Sequence, residues 1–314
     1  MFQLKKVFAG AAAAAVLSAP AGAAIVGGID FGVLGDAPFN AHLETATLAQ
    51  QYVNAVGQTA TAYGFITSIN GATNYCAGGG SCALYYVSTA TVNFFSGAAL
   101  PNELYLDNTV VSIFYAPTAN INLLNQNSAA NLAYIQSLDV WATFAGEKGV
   151  DASAQGLISD QSASGQLTGA SLSAEQAGLL SVNFADGLGM ADVEAFLNGN
   201  GIATFVGTFA DVAWTASSNN RVLNPFDVLN GSADSCAQAP VVGEWCYQGT
   251  ADFRGDTVVP TPGSLALAGL GLVGLAAVGR RGRRAVGVRH AGTEGGGPGA
   301  VRSRAFSLSW AYWS

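Results

Sequence analysis

Two apolar segments, one near each end of the chain, confine any folded core to the residues between them. The first runs from Val7 to Leu17 and the second from Leu265 to Gly279, and neither contains a charged residue. Each is flanked on one side by basic residues, a pattern typical of segments that enter a membrane. We therefore expect one globular domain over residues 24–257.

The first segment has the order of a secretory signal peptide. Lys5 and Lys6 precede the apolar run, which is too short to span a bilayer comfortably, and Pro20 follows it. Ala21 and Ala23 then place small residues at positions −3 and −1 of a cleavage site. Residues 1–23 are therefore predicted to be a signal peptide that directs export.

The second segment has the composition of a transmembrane helix. Together with Pro262–Ser264 it approaches the roughly 20 residues that cross the hydrocarbon core of a bilayer. A cluster of arginines follows it directly, and by the positive-inside rule this cluster acts as a membrane stop on the cytoplasmic side. The arginines of this membrane stop are Arg280, Arg281, Arg283 and Arg284.

The part of the chain between these segments is strongly acidic. Between residues 24 and 259, nineteen acidic side chains stand against Lys148, Arg221 and Arg254, which gives a formal charge of −16. A charge of this sign repels nucleic acid and anionic lipid. The domain is therefore not expected to bind nucleic acid.

Four cysteines lie in this acidic part, in two local pairs. Cys76 and Cys82 flank one glycine-rich loop, and Cys236 and Cys246 flank a second turn-rich loop. In an exported chain this arrangement predicts two disulfides, Cys76 with Cys82 and Cys236 with Cys246. The alternative, a zinc site, needs spacings that these cysteines do not have.

Strand-like stretches recur along the domain and are separated by turn residues such as Asn70-Gly71, a hairpin signal. Their spacing predicts a mainly β fold, either an antiparallel β-sandwich or a barrel-like domain, with one or two short helices. The predicted strands are Thr59–Ile69, Ala83–Phe95, Glu103–Tyr115, Val140–Phe144, Leu179–Phe184, Ile202–Thr215 and Gly249–Val258.

Two short helices are predicted between these strands. Ser128 is expected to cap a helix whose Leu132, Ile135 and Leu138 recur at helical spacing. A second helix is expected over Met190–Leu197, where acidic residues near the start suit the helix dipole.

The residues that carry common chemistries are sparse. His42 is the one histidine between residues 24 and 259, and it lies outside any nucleophile motif, so we expect it in a loop or an edge strand. Asp186, Asp192 and Glu194 are the nearest approach to a calcium site, but their spacing differs from a calcium-binding loop. We therefore expect a protein without catalytic residues, cofactor or metal.

Aromatic and threonine residues leave an alternative function open. A groove lined by tyrosine and tryptophan side chains would bind carbohydrate, and a spatial pair of acidic residues would hydrolyse it. Thr89 and Thr91 form a T-x-T pattern like those of flat ice-binding faces, a weaker version of the same alternative. The aromatic residues considered are Tyr85, Tyr86, Trp141, Trp214 and Trp245.

The C-terminal order of parts resembles the PEP-CTERM sorting element of Gram-negative bacteria. Val259, Pro260, Thr261 and Pro262 precede the apolar run and the arginine cluster, and Thr261 stands where the element usually has Glu. The resemblance implies that residues 258–284 are a sorting segment and that exosortase, a membrane-embedded cysteine protease, is a partner. It also implies inner-membrane anchoring, with the domain in the periplasm, before transfer to the surface.

Two further stretches bear on this resemblance. Residues 62–86, AYGFITSINGATNYCAGGGSCALYY, resemble a stretch of uncharacterised PEP-CTERM proteins. Residues 285–314 are rich in Gly and Arg, show no apolar periodicity and are predicted to be a disordered basic tail, of a composition typical of a shifted reading frame.

From these features we expect a non-enzymatic exported protein of the cell surface or extracellular matrix. It would be anchored and processed through a PEP-CTERM/exosortase system and associated with exopolysaccharide or biofilm. The alternative is a secreted carbohydrate-binding or carbohydrate-active β-sandwich protein.

Overall fold

A computed structural model describes residues 23–35, 39–97, 102–118, 122–123, 127–220, 236 and 240–258. Fifteen β-strands and two α-helices lie within these ranges. The strands are β1 (Ile25–Val26), β2 (Ile29–Asp30), β3 (Ala41–Gln51), β4 (Thr59–Ile69), β5 (Ala83–Phe95), β6 (Asn102–Ala116), β7 (Asp139–Glu147), β8 (Val150–Ala152), β9 (Leu157–Ser159), β10 (Gln161–Gln166), β11 (Ser173–Val182), β12 (Ile202–Ala203), β13 (Phe209–Ala210), β14 (Val212–Asn219) and β15 (Trp245–Gly255). The helices are α1 (Ser128–Ile135) and α2 (Ala191–Leu197).

The long strands close into an antiparallel barrel. Strands β3, β4, β5 and β6 pair in chain order, and β11, β14 and β15 continue the sheet until β15 pairs with β3. Between β6 and β11 the eighth position is filled by β7 and β10. The prediction of a mainly β, antiparallel fold is confirmed, and its barrel form is the one observed.

The eighth position of the barrel is one interrupted strand. Strand β7 pairs with Val110–Tyr115 of β6, and β10 pairs with Asn102–Leu106 of the same strand. Both are antiparallel to β6, so they run in the same direction, one after the other. The β8–β9 hairpin leaves the barrel wall where β7 ends and returns where β10 begins.

Side chains of alternating strand positions fill the barrel, as the period of two requires. In β5, Leu84 and Tyr86 belong to the larger core cluster, whereas Tyr85 and Val87 belong to a cluster on the opposite face. A third cluster lies at the far end of the barrel and includes Tyr52, Leu104 and Leu172. The first five residues of β5, Ala83–Val87, are therefore buried on both faces, which explains the continuous apolar run ALYYV at the start of this strand.

Helix α1 covers part of the outer face of the barrel. Its Ile135 is fully buried, and the ring of Tyr134 meets that of Tyr85 edge-on with centroids 6.1 Å apart. Asn127 caps the helix, because its Oδ1 accepts the N–H of Ala130 at 2.9 Å. The predicted cap, Ser128, is instead the first helical residue, so that prediction was off by one position.

Helix α2 and the β1–β2 hairpin close the end of the barrel at which β3 begins. Phe196 of α2 packs against Phe31 with ring centroids 4.9 Å apart. The indole of Trp141, fully buried, donates to the carbonyl of Gly27 at 3.0 Å. The helix begins at Ala191, one residue after the predicted start, and ends at Leu197 as predicted.

Neither α1 nor α2 has the length and apolar character to cross a membrane, and the same holds for any helix within the described ranges. The predicted signal peptide up to residue 22, the transmembrane segment and the C-terminal tail lie outside these ranges.

Candidate functional site

A polar cluster lies on the outer face of the barrel, where β15, β3 and β4 are neighbours. His42 and Glu44 are two positions apart on β3 and therefore share one face of the sheet. Asp252 of β15 is the cross-strand partner of Glu44, and Arg254 is the partner of His42. His42 was expected in a loop or an edge strand, and that prediction was wrong: it lies in a strand paired on both sides.

Three potential ligand atoms converge in this cluster. His42 Nε2 lies 3.5 Å from Glu44 Oε1 and 3.8 Å from Asp252 Oδ1. One ligand atom from each residue lies within 4.8 Å of the other two. The side chains are partly accessible, with His42 22% exposed and Glu44 43% exposed. We call His42, Glu44 and Asp252 the strand triad.

The backbone of His42 is fixed by a tight turn. Asn70 and Gly71 have φ of 50° and 79°, and Ile69 and Ala72 exchange two backbone hydrogen bonds of 2.9 Å across them. This confirms the predicted Asn-Gly turn. The side chain of Asn70 accepts the N–H of His42 at 2.8 Å, and the N–H of Asn70 donates to the His42 carbonyl at 2.8 Å.

Neighbouring groups occupy the second oxygen of each carboxylate in the strand triad. The hydroxyl of Ser68 donates to Glu44 Oε2, which leaves Oε1 directed at the imidazole. The guanidinium of Arg254 lies 3.7 Å from Asp252 Oδ2, and Oδ1 faces His42. Each carboxylate therefore turns one oxygen toward His42 Nε2.

Glu44 and Asp252 stand directly opposite each other on adjacent strands. Two like charges in that arrangement destabilise a sheet. Arg254 is 54% exposed and partly offsets the repulsion on one side. Within the part of the chain that is described, His42 Nε2 is a buried atom without a hydrogen-bond partner.

A second polar group lies inside the barrel, between the two interior clusters. Gln176 donates through Nε2 to Gln50 Oε1 at 2.6 Å, and both line a cavity of about 20 Å³. A water molecule needs roughly 10–15 Å³ of such space. Gln161, Ser88 and Trp214 also line the cavity. Trp214 Nε1 finds no protein partner among the described residues, so the cavity offers a bridging water a donor and several amides.

Both predicted disulfides are present. Cys76 and Cys82 are bonded across the loop that follows the Asn70-Gly71 turn, with Cα atoms 5.6 Å apart. Cys236 and Cys246 are bonded with Cα atoms 5.3 Å apart. Glu244 lies close to the Cys236–Cys246 disulfide. The two sulfurs of this disulfide are bonded to each other, so they are not available as thiolate ligands for a metal.

The acidic residues considered for calcium do not form a cluster. Asp186 is exposed and binds locally, accepting the N–H of Leu188 at 2.9 Å. Asp192 is exposed at the start of α2. Glu194 turns into the protein, where Oε1 accepts the hydroxyl of Thr143 at 3.2 Å. Their positions suit a turn, a helix start and a buried hydrogen bond.

The aromatic residues considered for a sugar groove lie mostly in the core. Tyr85, Tyr86, Trp141 and Trp214 are each at most 2% exposed, so their faces cannot stack on a sugar. Burial raises the pKa of both Tyr85 and Tyr86. The fifth, Trp245, is half-buried, and its ring meets that of Tyr63 with centroids 5.0 Å apart.

Thr89 and Thr91 belong to a larger threonine group on the barrel surface. Thr89 is the cross-strand partner of Thr61, and Thr91 is the partner of Thr59. Sequence reasoning found two of these four residues because the other two belong to a different strand.

The predicted sorting residues, Val259 to Pro262, and the membrane stop, Arg280 to Arg284, lie outside the described residues. No protein-family model, no curated protein and no solved structure matches the chain. The PEP-CTERM resemblance therefore stays a prediction based on residues 259–284.

Proposed function

We propose that the chain is a non-enzymatic exported protein of the cell surface or extracellular matrix. It is anchored in the inner membrane through its C-terminal segment and processed there by an exosortase. The barrel domain is then transferred outward, where it associates with exopolysaccharide in a biofilm. The sorting residues are Val259, Pro260, Thr261 and Pro262, and the membrane stop is formed by Arg280, Arg281, Arg283 and Arg284.

The observation that carries this proposal is the pair of disulfides. Structural disulfides persist in oxidising compartments and are rare in the cytosol. Cys76–Cys82 and Cys236–Cys246 therefore support a domain that folds after export. Export is also what the first 23 residues predict, although they are read from sequence alone.

The interior of the barrel supports a role at its outer surface. Apolar clusters fill both ends, and the cavity between them has room for about one water molecule. A barrel filled in this way presents its outer faces and loops to partners. Its acidic surface disfavours anionic lipid and nucleic acid as those partners.

The test of this proposal is processing of the full chain in a Gram-negative host, with and without its exosortase. With exosortase, we expect a shortened form outside the inner membrane; without it, the longer form stays in the membrane fraction. Replacing Pro260 and Pro262 by Ala, or the four arginines of the membrane stop by Gln, reproduces the second result. Unchanged size and location in all these strains would contradict the proposal.

The chain supplies a matched control for the arginine variant. Arg289, Arg302 and Arg304 are also basic and lie in the tail beyond the membrane stop. Replacing these three by Gln lowers the charge without touching the predicted membrane boundary. We expect that variant to be processed and located like the unaltered chain.

A further inference from the structure

We propose that the strand triad, His42, Glu44 and Asp252, binds a divalent transition-metal cation of the zinc class. This site is independent of the sorting signals, so it neither requires nor tests the proposed route to the surface. The evidence comes from the donor set, the geometry, the local charge and the imidazole nitrogen, which has no hydrogen-bond partner among the described residues.

The donor set is one imidazole nitrogen and two carboxylate oxygens. Zinc binds histidine nitrogen at about 2.0–2.1 Å and carboxylate oxygen at about 2.0–2.2 Å. Imidazole suits zinc, copper, iron and nickel, whereas magnesium and calcium prefer sets made of oxygen alone. A single histidine between two carboxylates therefore favours a transition metal.

The distances suit one shared cation. Two ligands of a tetrahedral zinc lie about 3.4 Å apart, given the bond lengths above. His42 Nε2 is 3.5 Å from Glu44 Oε1 and 3.8 Å from Asp252 Oδ1, so small side-chain movements would complete the coordination. The side chains project from adjacent paired strands, which fixes their backbones in register. Solvent would supply the fourth ligand, because all three side chains are partly exposed.

The electrostatics favour a positive charge at this position. Glu44 and Asp252 are directly opposed, and the surrounding domain carries a formal charge of −16 between residues 24 and 259. Arg254 approaches only the outer oxygen of Asp252, at 3.7 Å. A cation between the two inner oxygens would relieve the repulsion more directly than Arg254 does.

The surroundings orient the ligands as a metal site requires. Ser68 holds the second oxygen of Glu44, and Asn70 holds the backbone of His42. Such supporting hydrogen bonds fix the direction of the ligands and raise metal affinity. His42 Nε2 itself is buried and has no hydrogen bond within the described residues, although it faces both carboxylates. With its proton on Nδ1, an imidazole in this position would direct the lone pair of Nε2 into the triad.

The experiment is a zinc titration of the full chain, purified in detergent with a tag that contains no histidine. Isothermal titration calorimetry should show saturable binding of one Zn²⁺ per chain. His42→Asn, Glu44→Gln and Asp252→Asn should each weaken it by at least about tenfold, since losing even a supporting group costs 10- to 100-fold. Mg²⁺ should not compete.

Two matched controls separate this site from general charge effects. Glu175 is an exposed strand carboxylate that accepts the hydroxyl of Ser217 at 2.8 Å. Glu44 likewise accepts a serine hydroxyl, so Glu175→Gln removes the same charge from a comparable environment outside the strand triad. His290→Asn removes the second histidine of the chain. Both variants should bind Zn²⁺ within about twofold of the unaltered chain, because neither contributes a ligand.

One further measurement covers the case in which a variant fails to fold. In the unaltered chain, the ¹⁵N resonance of His42 Nε2 should shift on addition of Zn²⁺. The proposal is overturned if Zn²⁺ binding is not saturable, if the triad variants bind like Glu175→Gln, or if that resonance does not move. In those cases the cluster is only a surface ion-pair group around His42.

Discussion

The Lys148 ammonium lies 3.0 Å from the buried carboxylate of Asp160, at the point where β7 stops and β10 begins. It also lies 2.6 Å from Asp107 of β6. Asp160 is 5% exposed and accepts the N–H of Thr109 at 3.1 Å. This ion-pair group therefore spans the interruption in the eighth strand and links it to β6.

Replacing Lys148 by Met should destabilise the domain by about 1–3 kcal/mol. Breaking a buried pair usually costs about 3–5 kcal/mol, and the 43% exposure of Lys148 lowers that figure. Urea unfolding in EDTA measures the change. Arg254→Gln, which removes an exposed pair, serves as the control and should cost less than about 1 kcal/mol. If Lys148→Met and Arg254→Gln destabilised the domain equally, the ion pair of Lys148 with Asp160 would not be important for the interrupted strand of β7 and β10.

The pH dependence of this interaction follows from the pKa of Lys148. Burial alone would lower that pKa, but the hydrogen bonds to Asp107 and Asp160 outweigh it and raise the pKa above its ordinary value. The stabilisation is therefore fully present below the ordinary lysine pKa and is lost as pH rises through the raised one. The stability difference between the unaltered chain and Lys148→Met should thus shrink in strongly alkaline solution.

The disulfides should contribute to stability without affecting location. A bridge that closes a loop of this length lowers the conformational entropy of the unfolded chain, which stabilises the folded domain by about 2–3 kcal/mol per bridge. For a domain of this size, Cys76→Ala with Cys82→Ala should lower the melting temperature by roughly 4–12 °C. Cell fractionation should find the double variant where the unaltered chain is. A change of location with unchanged melting temperature would assign the bridge to sorting.

The strands predicted most accurately are those that are rich in aromatic and β-branched residues and that end at clear turn residues. Strands β4 and β5 match their predicted bounds, because aromatic and β-branched residues end at turn residues such as Asn70-Gly71. Strand β3 was missed, since its sequence AHLETATLAQQ is rich in residues that favour helices. Pairing with β15 on one side and β4 on the other overrides that local preference.

The stretch Ile202–Thr215 was predicted to be one strand, and the structure corrects this. Its first part forms the β12–β13 hairpin, where Gly207 has φ of 84° and turns the chain. The barrel strand β14 begins only at Val212. Short strands of two residues carry too little periodicity to be read from sequence.

The strand triad was not predictable from sequence for a topological reason. His42 and Glu44 are near neighbours, but Asp252 reaches them only because the last barrel strand pairs with the first. His42 was considered as a candidate from the sequence, but its partner Asp252 is evident only from the closure of the barrel. The disulfides, in contrast, were predicted because both pairs are local in the chain.

The carboxyl groups of Asp211 and Asp151 should titrate in opposite directions. Burial raises the pKa of Asp211, although hydrogen bonds from the N–H groups of Val182 and Asn200 partly oppose it. Hydrogen bonds from Ser153 lower the pKa of Asp151. Carboxyl NMR, assigned with Asp211→Asn and Asp151→Asn, should find Asp211 titrating at the higher pH. The reverse order would contradict the burial of Asp211.

The contributions of Asp211 and Asp151 to the stability of the folded domain change with pH in opposite directions. Asp211 binds its proton more tightly in the folded state, so its contribution grows as pH falls through its raised pKa and is lost as pH rises. Asp151 contributes above its ordinary pKa, and that contribution is lost as pH falls through the lowered one. The Asp211→Asn variant should therefore be no more resistant to acid unfolding than the unaltered chain. The reason is that protonation of Asp211 favours the folded state in acid.

The interior glutamines allow a double-mutant test of the hydrogen bond across the barrel. Gln176→Met removes the donor and leaves the Gln50 carbonyl short of a partner, which should cost about 1–2 kcal/mol. Replacing both residues by Met should cost less than the sum of the single changes, because no polar group is then left unpaired. Additive losses in urea unfolding would show that the two amides do not depend on each other.

Alanine substitutions at two glycines near the N-terminus of the domain distinguish the cost of overpacking from the cost of backbone strain. Gly27 and Gly32 both have positive φ, 55° and 70°, so alanine at either position costs about 1–2 kcal/mol of backbone strain. A Cβ at Gly32 meets no atom within 4 Å, whereas one at Gly27 overlaps Val193 and the Trp141 indole.

Gly27→Ala should therefore destabilise the domain by about 2–4 kcal/mol, because overpacking adds to the strain, while Gly32→Ala shows the strain alone. The damage should concentrate where the β1–β2 hairpin meets α2, since the carbonyl of Gly27 accepts the Trp141 N–H at 3.0 Å. Hydrogen exchange should then rise first in the amides of α2, with little change at the far end of the barrel. Equal losses for the two variants, or a uniform rise in exchange, would mean that this end is not closed by the contact of Gly27 with Trp141 and Val193.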